Sequence, residues 1–197
     1  MIKCKDVTLS FDGKKVFDDL NIQIRKGEHA CIRGISGKGK STFLKLLQGY
    51  VIPSSGSIEI NGLLLNTENI KRIRKYMVWV PQNIHLPVQN GLELANMVNL
   101  KIQESEVDKL LNQLGLEHDI INKNFSKISG GQKQRVVIAI CFALHKDIVL
   151  MDEPTASLDD ESTSQIINTV KGFNGSTIVS ASHNQLWVKS ADKIYDL

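Results

Sequence analysis

Apolar positions along the chain change period several times, and each change marks an element. Ile2, Cys4, Val7, Leu9 and Phe11 alternate loosely, and Leu20, Ile22 and Ile24 alternate strictly. Alternation sends successive side chains to opposite faces, so both runs read as strands. Asp12-Gly13 lies between them, a pair that tolerates the left-handed backbone of a tight turn, and an antiparallel hairpin is predicted. Ala30 to Arg33 reads as a short strand, and Ser41 to Gln48 as a helix carrying Phe43, Leu44, Leu46 and Leu47. Ile58 and Ile60 alternate ahead of a second turn, Asn61-Gly62, and Tyr76 to Val80 is another strand.

The middle of the chain changes to helical spacing, with Val107, Leu110, Leu111 and Leu114 on one face. Ser105 with Asp108 three residues on has the form of a capping box, and Gly115 is a stop signal. Gln132 to His145 reads as a helix, Ile148 to Met151 as a strand, the stretch holding Ile166, Ile167 and Val170 as a helix, and Thr177 to Ser180 as a strand. Strands alternating with helices imply a mostly parallel sheet covered on both faces, an α/β fold, joined here to an N-terminal antiparallel β subdomain. The chain reads as one domain over 1–197, with a core of about 1–82 and 133–197. The mainly helical insert runs from about Asn83 to Lys127, and a subdomain of about 83–132 includes the segment that follows.

At 197 residues the chain can bury a sizeable core. Its 42% hydrophobic and 23% charged content is ordinary for a globular domain. A net charge of +3 gives no footprint for nucleic acid, and Lys71, Arg72, Arg74 and Lys75 read as a solvated helix face. Cys4, Cys31 and Cys141 sit in apolar segments without ligand spacing, which implies buried thiols in a reducing compartment. Met1 to Lys5 lacks the apolar core of a signal peptide. The longest apolar run, Val136 to Leu144, has nine residues. A membrane span needs about 20, so a membrane role would require a partner.

Chemistry concentrates in a few short motifs. Gly34-Ile35-Ser36-Gly37-Lys38-Gly39-Lys40-Ser41 fits G-x-x-x-x-G-K-[ST] without a gap. Its glycines let backbone N–H groups crowd around phosphate oxygens, and the following helix aims its positive end at the same charge. Lys40 would bridge the terminal phosphates and Ser41 would place its hydroxyl on Mg²⁺. Lys38 is a second cation in the loop, read as pointing to solvent. Asp152 and Glu153 end an apolar strand, where one carboxylate can hold Mg²⁺ through water and its neighbour can orient an attacking water. A helix N-cap pair would explain one of these acids. Ile128-Ser129-Gly130-Gly131-Gln132 lies between the two motifs, Gln82 stands before it and His183 closes the set.

Together these motifs resemble the nucleotide-binding domain of the ATP-binding cassette (ABC) transporters, in the family's order and over nearly the whole chain. Gly34 to Thr42 is similar to Walker A, Ile148 to Glu153 to Walker B, and Ile128 to Gln132 to the Leu-Ser-Gly-Gly-Gln signature. Ser157-Leu158-Asp159 resembles the D-loop, Gln82 the Q-loop and His183 the switch histidine; Phe11 stands where the family stacks an aromatic on adenine. The resemblance implies ATP and Mg²⁺, with Glu153, His183, Gln82 and Lys40 catalytic and Ser41, Gln82 and Asp152 at the metal. It also implies a head-to-tail dimer with a second copy or a homologous ATPase. ATP then lies between the P-loop of one subunit and Ser129, Gly130, Gly131 and Gln132 of the other. An integral membrane transport subunit is implied as partner, which places the chain in the cytoplasm on the inner face of the membrane. The segment Asn83 to Val88, rich in apolar residues and broken by Pro87, reads as lining a groove for that subunit or as core. Departures are modest: Ile128 replaces Leu, Ile140 stands where many relatives carry Arg, the insert is short, and no regulatory extension is expected after Leu197.

Two other classes compete. A non-transport ABC ATPase could act as an ATP-gated signalling or scaffold subunit at the membrane. A small-molecule kinase would explain the P-loop but leave the signature and Asp152-Glu153 without a role.

Overall fold

The structure, a computed structural model, describes residues 1–84, 86–98, 104–156, 158–173 and 175–197. Ser157 of the D-loop triplet and the Ser105 side chain lie outside the described residues.

β1 (Ile2–Phe11) and β2 (Lys14–Ile24) form the predicted hairpin, with Asp12 and Gly13 both left-handed at φ 49° and 76°. β3 (His29–Arg33) feeds the Gly-rich loop and α1 (Lys40–Leu47) leaves it. β4 (Ser55–Ile60) turns at Asn61-Gly62 into β5 (Leu63–Leu64), and α2 (Ile70–Arg74) leads to β6 (Met77–Val80). The insert holds α3 (Gly91–Met97), α4 (Glu104–Gln113) and two short 3₁₀ turns, His118–Asn122 and Phe125–Lys127. α5 (Gly130–Ala143), β7 (Ile148–Asp152), α6 (Asp160–Gly172), β8 (Thr177–Ser182), α7 (Gln185–Ser190) and β9 (Lys193–Asp196) complete the chain. Gly115, the predicted stop, is left-handed at φ 67° just past α4.

Two sheets result. One is antiparallel in the order β2-β1-β4-β5, and the other is parallel in the order β6-β7-β8-β3-β9. Alternate residues of the parallel strands go to different cores, as a sheet covered on both faces requires. Ile148 and Leu150 pack with Phe43, Leu44 and the antiparallel sheet, while Val149 and Met151 pack with α5 and the insert. α5 is apolar almost all round and is buried from Val136 through Ala143, so Ile140 sits in the core.

The other expectations meet a mixed outcome. All three cysteines are buried free thiols, and burial pushes Cys4 and Cys141 up to about 12, far from reactive thiolate. Lys71, Arg72, Arg74 and Lys75 are all exposed as predicted, and the Arg74 guanidinium also lies over the Tyr50 ring and donates to the Gln48 carbonyl at 2.8 Å. Ile84, Leu86 and Val88 are half-buried and pack against the larger core, so their apolar character serves folding at least in part. Among the described residues no helix is long and apolar enough to cross a membrane.

Candidate nucleotide site

Gly37 and Gly39 are both left-handed, at φ 82° and 94°, which turns the loop from β3 into α1. At Gly39 a Cβ would meet Val16 Cγ1 at 2.7 Å and Phe17 Cε1 at 3.0 Å, so the residue is glycine for space as well as backbone. Gly39 then occupies the N-cap position of α1 without a side-chain cap, leaving the first N–H groups of the helix aimed into the loop.

Lys40 folds back into this loop. Its Nζ donates to the carbonyls of Gly34 at 2.9 Å and Ile35 at 3.4 Å, and stands 3.3 Å from Glu153 Oε1. Lys40 and Glu153 are each only 7% exposed, so this charge pair is poorly screened. Ser41 Oγ donates to Asp152 Oδ1 at 2.9 Å, which joins the start of α1 to the end of β7. Burial pushes the Asp152 carboxyl above the ordinary range. The neighbouring Glu153 charge adds to that, and the Ser41 hydrogen bond opposes it. Glu153 is a non-glycine residue at φ 45°, held there by its N–H to the Ala181 carbonyl at 2.9 Å. His183, beyond β8, sets its Nδ1 at 2.9 Å from Glu153 Oε1, with most of its ring exposed.

These groups border a cavity of about 290 Å³ lined by Phe11, Val16, Ser36, Gly37, Gly39, Lys40, Ser41, Thr42, Gln82, Glu153 and His183. Gln82 reaches it because β6 runs beside β7, with Val80 opposite Met151. Lys38 is exposed, as the sequence suggested. Val16 was missed. Its signal was position alone, on β2 just beyond the turn that follows Phe11.

Among the described residues, the signature segment Ile128 to Gln132 does not line this cavity, although Gly130 shares a second one with Gln82 and Glu153. α5 begins at Gly130 rather than at the predicted Gln132, so both glycines lie in its first turn. The cause is a capping box: Ser129 Oγ accepts from the Gln132 N–H at 3.1 Å, and Gln132 Oε1 accepts from the Ser129 N–H at 2.9 Å. Ser129-x-x-Gln132 spelled that box in the sequence. Ser129 and Gly130 are exposed, and nothing stands within 4 Å of a Cβ placed on Gly130.

Residues 17–156 match the family model described as ABC transporter. The chain belongs to the ABC transporter family. It is 32% identical over 208 residues, covering 98% of the chain and 76% of the relative, to an energy-coupling factor transporter ATP-binding protein, EcfA1, of Mesomycoplasma hyopneumoniae. It is 34% identical over 207 residues, covering 98% and 85%, to a probable ABC transporter ATP-binding protein, PEB1C, of Campylobacter jejuni. Among solved structures it is similar to the dimeric ATP-binding cassette MJ0796 in a post-hydrolysis state bound to ADP and Pi. The TM-score there is 0.87 at 28% identity, covering 100% of this chain and 94% of that one. As an ABC cassette with a P-loop NTPase fold, the chain is an ATP-binding, ATP-hydrolysing subunit of the transporter type. Dimeric cassettes among its structural neighbours, and the transporter names of its relatives, support dimerisation and a membrane transport partner.

Proposed function

We propose that this ABC cassette closes head to tail around ATP and that the closure drives an integral membrane transport subunit. The observation that carries this reading is the separation of two phosphate-binding helix ends. The start of α1 faces the cavity with Lys40, Ser41 and Glu153, whereas the start of α5 stands exposed and lines none of it among the described residues. One chain therefore offers half of each of two sites, and two chains facing each other complete both.

Within that frame, Gly34 to Thr42 cradle the phosphates and Phe11, 48% exposed at the cavity rim, offers its ring to the adenine. Lys40 exchanges its carbonyl and Glu153 contacts for phosphate oxygens. Glu153 orients and activates the attacking water, and His183, in contact with the same carboxylate oxygen, holds that oxygen and stabilises charge at the γ-phosphate. Ser41, Asp152 and Gln82 would hold Mg²⁺. The adjacent hydroxyl and carboxylate are hard oxygen donors, and this cation completes its shell with water and phosphate rather than an all-protein cage. Bound there, Mg²⁺ would offset charge on the β- and γ-phosphates. Ser129, Gly130, Gly131 and Gln132 receive the γ-phosphate bound by the other subunit. Residues of about 83–132 form the subdomain that follows the nucleotide. The partner chain is a second copy or a homologous ATPase, and the membrane subunit holds the pair at the inner face of the membrane.

Light scattering with and without ATP tests the closure. Glu153→Gln should be monomeric alone and dimeric with ATP, and Ser129→Arg added to it should abolish the dimer. Dimers that form without ATP and survive Ser129→Arg would overturn the arrangement.

A further inference from the structure

Lys133 is the fourth residue of α5, in the first turn, where the helix dipole disfavours a cation. Its ammonium is held by two groups outside that helix. Nζ donates to the Ile84 carbonyl at 2.6 Å and lies 5.1 Å from the centre of the Phe125 ring. Ile84 is two residues beyond Gln82 and is itself packed against the core, while Phe125 is buried in the last 3₁₀ turn before the signature. The Phe125 N–H also donates to the Gln89 carbonyl at 2.7 Å, five residues beyond Ile84. Gln82, Ile84, Gly130, Lys133 and Glu153 share the wall of a second cavity of about 260 Å³. Gln82 and Glu153 line both cavities.

We propose that Lys133 is a positioning residue that ties the position of Gln82 to the orientation of the Ser129–Gly131 helix end. The inference rests on the proposed roles of Gln82 and the signature. A displacement of Gln82 toward the nucleotide carries the Ile84 carbonyl with it. Through Lys133 that displacement acts on the first turn of α5, the end that presents Ser129 and Gly130. An ammonium suits this role because it follows a carbonyl over a range of angles without losing the contact.

The test is a cycle of Lys133→Met, Gln82→Ala and the double variant, with Lys133→Arg as the conservative rescue. Lys133→Met should keep thermal stability and bind ATP within about twofold of wild type, while kcat falls about tenfold. Lys133→Arg should return kcat to within about threefold. The double variant should turn over as Gln82→Ala alone does, because Gln82 acts through Lys133 and without Gln82 there is no displacement left to transmit. Should Lys133→Met lower the melting temperature, Lys133→Gln, which stays polar but ends one bond short of the Nζ position, takes its place in the cycle. Wild-type kcat in Lys133→Met, binding and turnover falling together, additive effects in the double variant, or a Gln82→Ala that turns over normally would each overturn the tether. A wild-type chain without ATP turnover would instead overturn the reading of the site beneath it.

Discussion

Glu153→Gln separates chemistry from binding and has a stability cost that the geometry sets. Lys40 Nζ and Glu153 Oε1 are 3.3 Å apart and nearly dry. At an effective dielectric of about 20, unit charges at that distance attract by roughly 5 kcal/mol, an upper bound on what the substitution removes. Three features reduce it. Glutamine keeps the shape and can still accept from Lys40. Lys40 retains the Gly34 and Ile35 carbonyls. Asp152 is relieved of a neighbouring charge that raises its pKa. The net loss should be about 1–2 kcal/mol, or about 2–8 °C in melting temperature for a chain of this size. Bound ATP supplies Lys40 with a new anion, so saturating ATP should narrow that gap. Phosphate release should meanwhile fall by about 10²–10⁴, the range for loss of a general base. Calorimetry with and without ATP, beside a phosphate-release assay, measures both effects. Hydrolysis at the wild-type rate would remove Glu153 from the chemistry, and a gap unchanged by ATP would show that Lys40 does not exchange Glu153 for phosphate.

Three further predictions follow from the same contacts. Lys40→Ala should weaken ATP binding about 10- to 100-fold, the worth of one charge-assisted hydrogen bond, as read by titration calorimetry. Gly39→Ala should lower both stability and nucleotide affinity, because its Cβ would meet Val16 and Phe17 and its backbone is left-handed; melting and binding curves check this, and an unaffected variant would contradict it. His29, pushed down to about 4 chiefly by burial, is neutral in the fold at neutral pH. Its folded pKa lies below the unfolded value of about 6.5, so stability is complete above about 6.5, declines as pH falls toward 4, and then levels off. The window corresponds to about 3 kcal/mol, and urea unfolding of His29→Gln across pH 4–7 should show a flatter dependence than wild type.

Local signals made most of the frame legible. Asp12-Gly13 and Asn61-Gly62 both form left-handed turns because these residue types tolerate positive φ, and alternating apolar residues, loose in β1 and strict over Leu20 to Ile24 in β2, marked the hairpin strands. α3 escaped because its signals are brief: seven residues begun by Asn90, whose side chain accepts from the Glu93 N–H. α7 and β9 escaped for related reasons, α7 being six residues long and β9 a half-polar edge strand that borrows its register from β3. In the site, residue types and spacing pointed to Lys40, Ser41, Asp152 and Glu153, and the structure pairs Ser41 with Asp152 and Lys40 with Glu153. Spacing could not show that Lys40 and Glu153 would meet, since 113 positions separate them and only the parallel sheet brings them together. The left-handed backbone at Glu153 is of the same kind, a strain imposed by the Ala181 carbonyl rather than by any preference of glutamate.

The strand order itself explains why so few residues suffice. In an open parallel sheet, ligands collect beyond the carboxyl ends of the strands. Here four neighbouring strands, β6, β7, β8 and β3, each deliver one contribution just past that end: Gln82, then Asp152 with Glu153, then His183, then the loop with Lys40 and Ser41. Their mutual distances are set by parallel register, with Val80 opposite Met151, Asp152 opposite Ala181, and Arg33 opposite Ser182. A slip of one residue in any of these pairs would move its functional group by about 3.3 Å and turn the strand's side chains to the opposite face. The two apolar cores prevent that slip, because Ile148 and Leu150 belong to one and Val149 and Met151 to the other. Precision at the proposed nucleotide site thus derives from burial on both faces of the sheet, in the residues that lead directly into Asp152 and Glu153.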